Sequence, residues 1–199
     1  FAGALFDTQT DTTLFESNDG SVKTLNNSGT VRKSVGPGIS QWRGVFNNNG
    51  AVNVQTGTLN PTDTVNLNTS SYSGAGRLLF GSCTLNGTLT VAAGANVEFG
   101  GGTLSGTGTI VGTLNWTGGV MGPGGTTTIA SNSVLVVSGG ADKSLNRRLD
   151  NYDLAEHVDL RVVNRKVLES LIKCGAFDST GLFRSQLFAI LDHVLSSAG

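Results

Sequence analysis

The carboxylates of the first 140 residues are the side chains with the clearest potential for hydrolytic chemistry. Glycoside hydrolysis uses two carboxyl groups that face one sugar bond. The acids in this part are few, and none recurs at an interval that would place a pair on one face: Asp7, Asp11, Glu16, Asp19, Asp63 and Glu98. We therefore predict no catalytic residues here and expect the chain not to be an enzyme.

Two glycine-rich segments could be taken for ligand-binding loops. A phosphate-binding loop ends in Gly-Lys-Ser/Thr and leads into a helix, and a calcium-binding nonapeptide repeat needs an Asp after its glycines. The segments at 100–102 and 122–125 have neither feature, so they are predicted to be turns. Spaced pairs such as Thr88 and Thr90 would suit an ice-binding surface, but their spacing along the chain is uneven, so this alternative is minor.

The remaining reactive side chains are isolated in the sequence: His157, His193, Cys83 and Cys174. The histidines lack partners at metal-ligand spacing, and two distant cysteines form neither a disulfide framework nor a CxxC pair. We expect free thiols, no metal and no cofactor.

The composition changes near residue 150. Residues 1–140 hold 5 Lys+Arg and 6 Asp+Glu, whereas residues 141–199 hold 8 of each, and 26 of the 29 glycines lie in the first part. Such a change marks a domain boundary, and we predict domains at 1–151 and 152–199. Because the chain begins with Phe1 and shows no signal peptide or membrane-length apolar run, we expect a fragment or a processed product.

Short alternating segments separated by turn residues dominate the first domain. Thr88–Val91, Ala95–Phe99 and Thr113–Trp116 alternate polar with apolar residues, which is typical of half-buried strands. Similar phrases recur about every 20 residues, which predicts a β-solenoid whose stacked coils share one core. Inward Leu, Val, Ile and Phe side chains, Val134 and Val136 included, are predicted to form that core, with outward Asn and Thr ladders and a Trp covering a seam.

The phrases LNNSGTVRKS (25–34), VFNNNGAVNVQTGTL (45–59), VEFGGGTLSGTGTI (97–110) and LNWTGGVMGPGGTTTI (114–129) carry a resemblance. They resemble the β-helical repeats of bacterial surface and autotransporter-like adhesins, over about residues 15–151. The resemblance implies a non-catalytic stalk or adhesin outside the cell, whose partners would be a surface ligand or neighbouring solenoid coils.

The tail has helical rather than strand periodicity. Val163, Val167, Leu168, Leu171 and Ile172 form one apolar stripe, and Phe183, Leu187, Ile190, Leu191, Val194 and Leu195 form a second. Ser179 or Thr180 can cap the second helix, with Gly181 easing its start, and Gly175 follows the first. The fold class is thus predicted to be mainly β, a parallel β-helix-like solenoid with a C-terminal α-helical hairpin.

The tail phrase VDLRVVNRKVLESLIKCGAFDSTGLFRSQLFAILDHVL (158–195) resembles the helix-hairpin-helix region of the bacterial DNA polymerase III alpha subunit, over about residues 157–197. The resemblance implies sequence-independent contact with duplex DNA, without polymerase activity because the palm aspartates have no counterpart here. Carried onto this chain, it gives the following phosphate contacts: Arg161, Arg165, Lys166, Lys173, Gly175, Ser179, Thr180, Gly181 and Arg184. Residues 158–184 hold 5 Lys+Arg and 3 Asp+Glu, so DNA binding is expected to be weak.

Three functional hypotheses therefore stay open. The chain is a structural or adhesive solenoid of the cell surface, a weak DNA-binding segment of a replication protein, or a chimera that joins two unrelated sequences. The solenoid indicates an extracellular location and the tail a cytoplasmic one. On geometry alone the tail would instead be a cap on the open end of the solenoid.

Overall fold

The computed structural model describes residues 3–14, 21–152, 169–170, 172–173 and 183–197. The described residues form twenty strands and one helix. Contacts divide the chain into two compact units, 1–151 and 152–199. The first unit is a parallel β-solenoid of about seven turns, as predicted.

Each coil has three faces, and each face is a ladder of parallel strands. Face 1 consists of β3 (Thr24–Asn27), β6 (Val45–Asn48), β9 (Thr64–Leu67), the first part of β12 (Cys83–Val91), the first part of β14 (Thr103–Val111), β16 (Gly119–Met121) and β19 (Lys143–Leu145). Face 2 consists of β1 (Leu5–Thr8), β4 (Thr30–Lys33), β7 (Ala51–Val54), β10 (Ser70–Ser73), the last parts of β12 and β14, β17 (Thr126–Ile129) and β20 (Arg148–Asn151). β12 and β14 run through the corner between these faces and join them into one 13-stranded sheet.

Face 3 forms a separate seven-stranded sheet. Its strands are β2 (Thr13–Leu14), β5 (Ile39–Trp42), β8 (Thr58–Pro61), β11 (Arg77–Phe80), β13 (Asn96–Phe99), β15 (Thr113–Trp116) and β18 (Val134–Val137). The last coil is made by β19 and β20, so the predicted extra coil edge at 143–151 is confirmed.

Inward side chains stack in columns that run along the whole solenoid. On face 1 the paired positions are Leu25, Phe46, Val65, Cys83, Leu104, Met121 and Leu145. The five central members of this column are at most 4% exposed. Removing this apolar surface from water is the main stabilising contribution to such a stack, since one coil alone cannot bury its inner face.

Two predictions about the core are wrong. Trp42 and Trp116 lie in the core, 6% and 5% exposed, and Trp116 stacks on Phe99 at 6.5 Å, so neither covers a seam. In β18 the inward residues are Leu135 and Val137, which pair with Leu114 and Trp116. Val134 and Val136 therefore point outward, because a strand reading Val-Leu-Val-Val offers no polar residue to set the phase of alternation.

The second unit contains the described helix α1 (Arg184–Ser197). Residues 169, 170, 172 and 173 are also helical. Ile172 and Leu191 are buried, at 3% and 4% exposed, as the two apolar stripes predict. The predicted connection between the helices, 174–180, lies outside the described residues.

Candidate functional site

The predicted phosphate contacts that the structure describes are Lys173 and Arg184. Arg184 Nη1 donates to the carbonyl oxygen of Lys173 at 2.9 Å, which ties the first residue of α1 to the preceding helical segment. Lys173 Nζ lies 5.9 Å from the ring centroid of Phe188, within the range of a cation–π contact. The structure thus brings these two exposed cations together on one side of the second unit.

The other predicted contacts lie outside the described residues: Arg161, Arg165, Lys166, Gly175, Ser179, Thr180 and Gly181. Their role in binding stays a prediction.

The start of α1 differs from the prediction. The backbone N–H of Phe183 donates to Oε1 of Gln186 at 2.9 Å, and the carbonyl of Phe183 accepts from the backbone of Leu187. Phe183 is therefore the N-cap and Gln186 the N3 residue whose side chain reaches back to it. The predicted cap at Ser179 or Thr180 is wrong in position, and Phe183, at 77% exposed, is not part of the apolar stripe.

The described acids of the solenoid are held in structural contacts. Asp7 accepts from Arg32 at 2.7 Å, and Asp11 accepts from Lys33 at 2.6 Å. The hydrogen bond from Arg32 holds the pKa of Asp7 well below its usual range, and that from Lys33 lowers the pKa of Asp11. A general acid needs a raised pKa instead, so these carboxylates are poorly suited to proton donation at neutral pH.

Glu98 is engaged in the same way. Burial disfavours its ionised form, but hydrogen bonds from Arg77 at 2.7 Å and from Thr117 at 2.6 Å outweigh it and lower the pKa of Glu98. Asp63 accepts from the backbone N–H of Gly44 at 2.8 Å. The described acids therefore stabilise neighbouring coils and do not converge on a cleft.

A buried polar ladder runs inside the solenoid and was not predicted. Asn27 donates to Asn48 at 2.7 Å, and Asn48 donates to the hydroxyl oxygen of Tyr72 at 2.7 Å. All three are at most 6% exposed, and burial raises the pKa of Tyr72 to about 12. The run Asn26-Asn27 and the run Asn47-Asn48-Asn49 hide which amide points inward, so the sequence carried no usable signal.

The predicted outward ladder is present beside it. Asn47 donates to Asn26 at 2.8 Å, and Asn66 donates to Asn47 at 2.7 Å, on the outer side of face 1. On face 2, Thr88, Thr109 and Thr128 stand in register on successive coils. Uneven turn lengths conceal this alignment in the sequence, so the outer walls are more regular than the chain spacing indicates.

Cys83 is a buried core residue, and burial raises its pKa far above the usual range. A thiol in that state is a poor nucleophile and a poor metal ligand. Within 3–14, 21–152 and the described part of the tail, no group of three or more His, Cys, Asp or Glu could hold a metal ion. No described helix is long and apolar enough to cross a membrane.

Comparison with known proteins supports the resemblance seen in the tail. Residues 145–187 match the family described as "Helix-hairpin-helix motif". Over 46 residues the chain is 48% identical to the DNA polymerase III subunit alpha of two strains of Staphylococcus epidermidis, which covers 23% of this chain and 4% of each relative. The chain therefore spans about 4% of the length of these relatives. No solved structure gives a significant match.

The family match begins inside the solenoid, since residues 145–151 belong to β19 and β20. Within that stretch, Arg147 donates to the carbonyl oxygens of Gly122 at 2.7 Å and of Gly106 at 2.9 Å. This matched residue therefore has a structural contact in the last coils. The tail carries a helix-hairpin-helix motif similar to that of DNA polymerase III alpha, whereas the likeness of the solenoid to adhesins stays a prediction.

Proposed function

We propose that the first domain, residues 1–151, is a non-catalytic structural and adhesive element of a bacterial surface-type protein. The observation that carries the proposal is the unbroken parallel stack of about seven turns with polar, uncharged rows on its outer walls. A rigid stack of this kind holds outward hydroxyls and amides at the spacing between coils, about 4.8 Å. A hydroxyl-rich surface can be met by such an array through many weak hydrogen bonds.

The absence of catalysis is part of the same proposal. It is supported by the engagement of Asp7, Asp11 and Glu98 in ion pairs, and by their lowered pKa values. It is also supported by the partial match of the tail to a motif of a polymerase subunit, over 4% of the relatives' length.

Adhesion can be tested with the intact chain on cellulose, chitin and peptidoglycan particles. We expect retention on at least one of them above an albumin control. The variant Thr88→Lys/Thr109→Lys/Thr128→Lys alters the outer wall of face 2, and Asn47→Lys/Asn66→Lys alters that of face 1. Loss of retention in one variant and not the other would identify the adhesive wall. Absence of retention on every particle would reject adhesion and leave a structural role alone.

A second candidate function is weak, sequence-independent contact with duplex DNA through the tail, residues 152–199. It is supported by the helix-hairpin-helix match and by the two exposed cations, Lys173 and Arg184, that the structure brings together. Few phosphate contacts give low affinity and a shallow dependence on salt. The remaining predicted contacts, from Arg161 to Gly181, belong to this proposal.

Fluorescence anisotropy with two unrelated 20-bp duplexes tests DNA binding by the intact chain. We expect equal, weak binding to both at about 20 mM salt, lost near physiological salt. Arg184→Ala or Lys173→Ala should each lower the salt slope by about 1. Lys143→Ala is the matched control, since Lys143 donates to carbonyl oxygens of Gly139 and Ala141 in the solenoid. No binding at 20 mM salt would exclude this function.

A composite origin would account for an extracellular type of repeat beside a replication-type motif. We propose to test it with one continuous DNA read across codons 130–165. An unbroken frame supports a single composite protein, whereas a break near codon 155 supports a chimera.

A further inference from the structure

The inner columns of the solenoid emerge at both ends as exposed apolar side chains. On face 3, Leu14 pairs with Trp42 at one end, and Val137 pairs with Trp116 at the other. Leu14 is 45% exposed and Val137 is 59% exposed, whereas both tryptophans are at most 6% exposed. Phe6 and Leu145 end the columns of faces 2 and 1 in the same way, at 43% and 48% exposed.

The backbone at the two ends has the same property. Among the described strands, β1, β2 and β3 each pair on one side only, with β4, β5 and β6. β18, β19 and β20 likewise pair on one side only, with β15, β16 and β17. Unpaired edges of this kind are templates for pairing with another strand.

The first coil also leaves a cavity of about 170 Å³ lined mainly by apolar side chains. Its walls include Phe6, Leu14, Leu25, Trp42 and Phe46. In the interior of the solenoid the corresponding space is filled by the inward side chains of the next coil, as when Phe46 meets Val65. The first coil therefore presents one half of an interface that the molecule itself repeats at every step.

The direction of stacking follows from strand polarity and charge. Every strand pair of the solenoid is parallel, so only the last coil of another copy, placed on the first coil, continues the same geometry. By sequence, residues 1–23 hold four acids and one lysine, a net charge of −3, and residues 138–152 hold three bases and two acids, a net charge of +1. Pairing of Asp7 and Asp11 with Arg32 and Lys33 reduces the first value but leaves its sign.

From these observations we propose that the solenoid associates head to tail with a second copy of this chain. The edge made by β18, β19 and β20 of one copy stacks on β1, β2 and β3 of the next. Such a contact joins two different surfaces, so it does not close and extends into filaments. The proposal depends neither on adhesion nor on DNA binding.

Sedimentation velocity of the intact chain over roughly 1–200 μM tests the proposal. We expect species larger than a dimer that grow with concentration. Leu14→Lys and Val137→Lys each place a charge at one end, where an unpaired buried charge is strongly unfavourable. Each variant alone should associate about 100-fold more weakly or less. Val134→Lys is the matched control, since Val134 lies in the same strand, is 50% exposed and points outward.

A mixture of the two end variants gives the decisive result. Leu14→Lys keeps an intact last coil and Val137→Lys keeps an intact first coil, so the mixture should form a one-to-one dimer and nothing larger. A dimer retained by either variant alone would overturn the proposal in favour of a symmetric contact. A wild-type chain that stays monomeric throughout would also overturn it, and would indicate that chain segments outside the described residues cover the ends. Circular dichroism establishes that each variant keeps its β-structure.

Discussion

Asn47 and Asn48 are adjacent residues that face opposite sides of β6. Asn48 is fully buried and bonds to Asn27 and Tyr72, whereas Asn47 bonds to Asn26 and Asn66 on the outer wall. The chemistry of the two amides is the same, and only their access to water differs. The pair therefore separates the contribution of a buried amide ladder from that of an exposed one.

Replacing Asn48 with Ala should lower the free energy of unfolding by about 2–4 kcal/mol, because Asn27 and Tyr72 lose buried partners. Asn47→Ala should cost less than about 1 kcal/mol, since water replaces the lost bonds. Urea unfolding followed by circular dichroism measures both. Equal losses in the two variants would show that burial of the inner ladder is energetically unimportant.

The Asp11–Lys33 pair should make stability depend on acid. Lys33 is fully buried, and its ammonium donates to Asp11 and to the carbonyl of Val35. The pKa of Asp11 is lowered in the folded state by the bond from Lys33 and by the backbone N–H of Gly38. A lowered carboxyl pKa stabilises the fold above about pH 4, and that contribution is lost as the pH falls toward the folded pKa.

Asp11→Asn should therefore lower the melting temperature at pH 7 and flatten its fall between about pH 5 and pH 2. The difference from wild type should shrink as the acid limit is approached. Asp11→Asn combined with Lys33→Met removes the buried charge as well, and we expect it to recover part of the loss at pH 7. A pH profile unchanged by Asp11→Asn would contradict the assignment.

At the scale of single elements, turns between strands are set by how closely successive coils approach. Gly112 joins β14 to β15 with a φ of +93°, and a Cβ there would collide with the carbonyl oxygen of Val91 in the preceding coil. Gly94 joins β12 to β13 with a φ of +78°, and a Cβ there would meet nothing within 4 Å. The two turns share the backbone strain but not the crowding.

Gly94→Ala should destabilise the protein by about 1 kcal/mol, the cost of a left-handed conformation for a residue with a Cβ. Gly112→Ala adds a steric clash and should cost about 3 kcal/mol or more. Thermal or urea unfolding of the two variants measures the difference. Similar values would mean that the coil-to-coil distance can relax at Gly112.

At the scale of the whole molecule, the solenoid is a series of equivalent layers, and one layer should be removable. Cys83 pairs with Leu104, so deleting residues 83–103 places Leu104 where Cys83 stood. We expect this variant to fold with reduced stability, since it loses one coil interface. Deleting residues 83–102 removes one residue fewer and reverses which side chains face inward. Circular dichroism and size-exclusion chromatography should show β-structure for the first variant and aggregation or unfolding for the second.

Period-2 alternation and turn spacing predicted the solenoid because strand and core are encoded locally, as in Asn96–Phe99, where Val97 and Phe99 are buried. Register was not predictable, because the faces of β18 and the inner position of Asn27 depend on contacts some 20 residues away. The helix-hairpin-helix motif was predicted from a conserved-looking phrase. Its cap at Phe183 was not, because Gln186 competes with the better-known capping residues upstream.

The spacing of paired strands has a consequence for how the chain folds. Cross-coil partners such as Val31 and Val52, or Leu89 and Ile110, are about 21 residues apart, and this separation hardly changes along the solenoid. Relative contact order is therefore near 0.1 of the chain length, low for an all-β protein. Each new coil can dock on the one before it as soon as about 20 further residues leave the ribosome. Synthesis and folding can thus advance together, coil by coil, from the first strand to the last.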